Sequence, residues 1–153
     1  AWYEEEVDKL DEIYDGEGTM PSVVFSHMPL PEFHTAFLAA RSGEGAKYVL
    51  EQELTPTEVT SIRKDGPTNE NTGFFDSMKE HGSVAYFCGH SHSLDFQVEM
   101  DGITLGFAPQ TGFSTLFGDN DLLRRAYTYH FDENFDFPGR DTKADRKSGQ
   151  RAY

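Results

Sequence analysis

The sequence predicts an α/β fold in which helices layer onto a sheet that is partly parallel and partly antiparallel. Three observations carry that expectation. Ser22-Val23-Val24-Phe25-Ser26 and Val84-Ala85-Tyr86-Phe87-Cys88 are short, largely apolar runs with the length of buried strands. A stretch with helical spacing of apolar residues comes before each of them. Further on, Phe96–Met100 alternates in polarity, Asp101-Gly102 is a strong two-residue turn signal, and Ile103–Phe107 pairs back as an antiparallel hairpin.

Taken in order, Tyr3, Val7, Leu10 and Tyr14 fall on one helical face, with Gly16 and Gly18 as the stop. Pro21 leads into the first apolar run, which ends at His27. Met28-Pro29-Leu30-Pro31-Glu32-Phe33 follows, and its prolines can neither continue a strand nor sit inside a helix. Between residues 34 and 55 a short helix through Phe37-Leu38-Ala39-Ala40 and then a polar stretch are expected. Residues 56–72, rich in Pro, Thr, Asn and charge, read as a long excursion. A second helix is expected from Gly73 to His81, with Thr72 as its N-cap, Phe74, Phe75 and Met78 inward, and Gly82 as its stop. Arg125–Phe131 alternates as a last strand. Residues 1–137 thus form one domain portion, and 138–153, with almost nothing apolar, a mobile polar tail.

Composition narrows the function. The 153 residues suit one domain, and 13 Phe, 7 Tyr and 1 Trp can build a core. The net charge of −14 argues against a nucleic-acid surface or an anionic-membrane surface, since both need a basic footprint. It also opposes a phosphate substrate, unless bound divalent cations override the repulsion locally. No apolar run approaches a membrane span. The acidic start, AWYEEEVDKL, has no initiator Met and is the reverse of a signal-peptide pattern, as expected of a mature or truncated chain; it leaves the precursor and the compartment open. The single cysteine, Cys88, excludes an internal disulfide framework and a Cys-rich zinc module.

Chemistry concentrates at the ends of the two apolar strands. The second runs into Gly89-His90-Ser91-His92, and the first into His27. Neutral imidazole is a common ligand for zinc, iron and manganese-type sites, and ligands of α/β sheets bind beyond the carboxyl ends of strands. Gly89 is expected to allow the unusual backbone turn that would aim both rings of the H-x-H at neighbouring points. The competing reading is a chance H-x-H with two surface rings. Glu32 and Asp95 flank the histidine motifs; each is a candidate acceptor orienting a ligand ring, or simply a solvated carboxylate. His34 reads as a solvated loop residue, with lining the pocket as the other reading, His81 as a helix C-terminal His, His130 as a strand surface residue and Cys88 as buried and unreactive.

Phe25-Ser26-His27-Met28-Pro29-Leu30-Pro31-Glu32-Phe33, Asn71-Thr72-Gly73-Phe74-Phe75-Asp76 and Phe87-Cys88-Gly89-His90-Ser91-His92-Ser93-Leu94-Asp95-Phe96 occur in that order, followed by Gln110-Thr111-Gly112-Phe113 and Arg125-Ala126-Tyr127. This set resembles the C-terminal half of the calcineurin-like metallophosphoesterases, especially their purple-acid-phosphatase-related group, from about residue 2 to residue 131. The resemblance implies the second half of a layered α/β sandwich. It also implies that His27 and His90 bind one metal of a pair and His92 the other, the metals being iron, manganese or zinc. They would polarise a phosphate ester and activate a water for in-line attack. No catalytic residue beyond the metal ligands is identified.

That family's D-x-H, G-D-x-x-D and G-N-H-D/E motifs do not occur in this sequence. The expectation is therefore a chain that is inactive alone and completed by an N-terminal half or companion chain. The other readings are a structural or interaction subunit that retains half of the fold, and a mononuclear metal-binding module.

Overall fold

The computed structural model describes residues 2–14, 18–65, 71–108, 127 and 129. The expected Arg125–Phe131 strand, apart from Tyr127 and Tyr129, and the 138–153 tail lie outside them. The elements run α1 (Trp2–Asp11), β1 (Ser22–Ser26), α2 (Glu32–Ser42), β2 (Ala46–Leu50), α3 (Pro56–Asp65), α4 (Phe74–Glu80), β3 (Ser83–Cys88), β4 (Gln97–Met100) and β5 (Ile103–Phe107).

The strands form one five-stranded sheet in the order β1-β3-β5-β4-β2. β1, β3 and β5 are parallel, while β4 runs antiparallel to both β5 and β2. The expected mixed sheet is therefore present. At the β4–β5 turn, Asp101 (φ 52°) and Gly102 (φ 83°) both adopt the left-handed backbone that a twisted two-residue hairpin needs.

Aromatic rings dominate the core. Phe33 packs edge-on to Phe107 with centroids 4.8 Å apart, and Phe37 lies 4.9 Å from Phe96. Met78, Leu94, Val98 and Leu105 are fully buried around them. β3 is buried along most of its length, as a central parallel strand should be. β1 is not: its last two residues are exposed, and Phe25 keeps 69% of its surface in solvent. The first apolar run, which has the length of a buried strand, is thus only partly covered within this chain, because β1 is an edge strand among the described residues.

Other local expectations also change. The 34–55 segment holds a longer helix than expected and then a strand, β2. The long excursion contains α3, which opens with a reciprocal cap: the Thr55 N–H donates to Glu58 Oε2 at 2.8 Å, and the Glu58 N–H donates to Thr55 Oγ1 at 3.3 Å. Pro56 sits at the first helical position, where its missing N–H costs nothing. Thr72 is not the cap of α4; Gly73 (φ 74°) holds the N-cap position without a side-chain cap, and its N–H donates to Asn71 Oδ1 at 2.9 Å. α1 ends at Asp11, and of its expected inward face only Val7 is buried.

Candidate functional site

Parallel pairing of β1 with β3, with Ser26 opposite Cys88, delivers His27 and His90 to the same end of the sheet. Beyond the last paired residues, the Gly89 N–H still donates to the His27 carbonyl at 3.2 Å, so the two exit loops are tied together directly. His27 Nε2 lies 3.4 Å from His90 Nδ1, and the rings meet edge to face, 87° apart. Both side chains are exposed.

The turn at His90 differs from expectation. Its unusual backbone falls on His90 itself (φ 65°), not on Gly89. A three-residue turn is closed there by the Ser91 N–H donating to the Gly89 carbonyl at 2.7 Å. A side chain larger than glycine held at positive φ is strained, and such strain collects at functional positions.

His92 lies two residues on, in the following turn, and is exposed. Among the described residues no group of three His, Cys, Asp or Glu side chains is arranged to hold a metal ion. The geometry thus brings His27 and His90 together without bringing a third such ligand to them. The 3.4 Å contact is a long hydrogen bond between the rings, and two nitrogens bound to one tetrahedral zinc at about 2.0–2.1 Å each would lie at a similar separation.

Glu32 opens α2 and accepts a hydrogen bond from Asn71 Nδ2. Asp95 is buried, and its Oδ1 accepts the Tyr127 hydroxyl at 2.6 Å. His34 belongs to the first turn of α2 rather than to a loop. His81 caps α4, its Nδ1 lying 2.7 Å from the Ser77 carbonyl. Burial pushes the Cys88 thiol pKa far up, in keeping with an unreactive core residue.

Three supporting residues are given no role by the sequence, although Tyr86 and Tyr127 lie in segments it singles out. Tyr86, on β3, donates its hydroxyl to the Met28 carbonyl at 2.7 Å and fixes the loop that leaves His27; burial also raises its pKa. Gln52 contacts the loop that leaves His92, and Tyr127 holds Asp95. Only the Tyr48-Val49-Leu50 run, readable as a strand, could have drawn attention to Gln52 just beyond it.

A mixed sheet with helices and a histidine pair at its strand ends is consistent with half of a metallophosphoesterase-type domain. The relatives place that likeness among the purple acid phosphatases. The chain is 34% identical over 98 residues, 62% of its length, to "Probable inactive purple acid phosphatase 14" of Arabidopsis thaliana. It is 29% identical over 139 residues, 87% of its length, to "Probable inactive purple acid phosphatase 29" of the same plant. It spans only 20% of the first relative and 32% of the second. No protein-family model and no solved structure matches the chain.

Proposed function

We propose that this chain is one part of a metal-dependent phosphoester hydrolase, supplying His27, His90 and His92 to a dinuclear site that an N-terminal half or companion chain completes. The observation that carries the reading is the His27–His90 pair, at cation-sharing distance where two parallel strands end. Iron, manganese or zinc bound there would supply Lewis-acid polarisation of a phosphate ester and an activated water. The chain's own residues hold and orient: imidazole nitrogens donate lone pairs without cancelling the metal's charge, and Tyr86 and the Gly89 N–H fix the loop that carries His27. Glu32 accepts from Asn71 and Asp95 from Tyr127, which ties both carboxylates to the segments flanking the histidines. Locally concentrated cation charge would offset the −14 of the chain for an anionic substrate.

A second reading has its own support, because both relatives are named as probable inactive enzymes. On that reading the chain is a non-catalytic subunit that keeps the fold and the histidine pair. Assay of an aryl phosphate with manganese, iron or zinc, using the chain alone and then joined to a complement carrying D-x-H, G-D-x-x-D and G-N-H motifs, separates the two. The enzyme reading expects turnover only when joined, lost in His90→Ala. A joined protein that binds metal and remains inert supports the subunit reading.

A further inference from the structure

The loop Gly89–Phe96 carries His90 and His92 between β3 and β4, and one side chain from elsewhere in the chain bridges two of its backbone groups. Gln52 Nε2 donates to the Ser93 carbonyl at 2.9 Å, and the Asp95 N–H donates to Gln52 Oε1 at 2.7 Å. Backbone pairing of β2 with β4 ends at Leu50 opposite Gln97, after a register shift between Tyr48 and Leu50. Continued in that final register, Gln52 would face Asp95. The glutamine amide offers one donor and one acceptor, as a paired strand residue does, so it extends the ladder beyond the point where the backbones separate.

We infer that Gln52 is a positioning residue for the His90-Ser91-His92 turn, a side-chain strap that fixes the loop immediately after His92. The rest of the loop is pinned at its other end and from below. The strained turn at His90 is closed by the Ser91 N–H, the Leu94 N–H donates to the Ser91 carbonyl at 3.2 Å, and Leu94 and Phe96 are fully buried. Ser93 is the residue between His92 and the Leu94 anchor, and Gln52 holds its carbonyl. Without the strap, the Ser93 carbonyl and the N–H of buried Asp95 lose this shared partner together, one and three residues beyond His92. Partners that orient metal ligands from behind typically cost 10–100-fold in metal affinity when removed, roughly the effect expected here.

The functional consequence rests on the proposed histidine metal site, so the test separates the two. Gln52→Met keeps the side-chain length and removes both hydrogen bonds; Gln52→Glu keeps only the acceptor; Met78→Ala, on α4, is a destabilising control that leaves both hydrogen bonds in place. Two quantities are measured on each purified chain: zinc affinity by calorimetric titration, and backbone ¹⁵N heteronuclear NOEs of His90–Ser93 without metal. The expected result is a zinc Kd weakened about tenfold by Gln52→Met and less by Gln52→Glu, unchanged by Met78→Ala, with NOEs falling only in the Gln52 variants. Wild-type chain that binds no zinc would defeat the proposed metal site, and the NOEs alone would then decide the strap. NOEs in Gln52→Met equal to wild type, or a zinc Kd within twofold of it, would overturn the inference.

Discussion

At the residue scale, three side chains convert sheet geometry into a site. His27 and His90 are placed by β1 and β3, and Tyr86 locks the loop between β1 and α2 by donating to Met28. Tyr86→Phe removes that donor and leaves a carbonyl without its partner, which should destabilise the fold by about 1–2 kcal/mol; urea unfolding checks it. Cys88 and Tyr86 are both held neutral in the native state by burial, with pKa values raised above their ordinary ones. For acids shifted upward, the stabilisation is complete below the ordinary pKa and fades as the unfolded chain ionises. The urea midpoint should therefore be flat up to about pH 8 and decline from about pH 9 upward, the thiol contributing first. Replacing Cys88 with Ala should remove the earlier part of that decline, and a thiol reagent should label native Cys88 only at the rate of unfolding.

The elements show where sequence reasoning succeeded and where it could not. β3, α4 and the β4–β5 hairpin were legible because their signals are local: an unbroken apolar run, a stop at Gly82, and Asp101-Gly102. β2 was not, because Lys47 and Glu51 bracket its short apolar run, and Lys47 then pairs across the sheet with Glu99 at 3.1 Å. α3 was obscured by Thr and Pro, which mark a loop in one context and a helix start in another; the deciding Thr55–Glu58 cap depends on spacing, not composition. The histidines were visible as motifs, whereas Gln52, which straps their loop, depends on a long-range register that no local pattern encodes. Among the described glycines, Gly106 leaves the least room for a side chain. A Cβ there would lie 2.8 Å from Phe87 Cδ1, and Phe87 is itself stacked on Tyr129 at 4.0 Å, so the ring has little room to move. Gly106→Ala should cost about 1–3 kcal/mol by overpacking, read as a lower thermal midpoint.

For the whole molecule, the issue is what covers the β1 side of the sheet. Among the described residues β1 is an edge strand with Phe25 exposed at 69%, and Trp2 and Ile13 are exposed at 75% and 78%. An open edge carrying an apolar side chain favours association, which edge lysines oppose. The isolated chain should self-associate with rising concentration in sedimentation velocity, and Phe25→Lys should reduce this without lowering the thermal midpoint. A wild-type chain that stays monomeric at high concentration would show that this edge needs no cover.

The central claim is that histidines at the ends of β1 and β3 form a cation site, and zinc titration followed through the histidine ring resonances tests it most directly. The account predicts that the His27 and His90 rings shift together and saturate at one shared equivalent, that His92 responds in the same titration, and that His34 and His81 stay unmoved. A titration in which His27 and His90 remain at their metal-free positions while zinc binds elsewhere would contradict it.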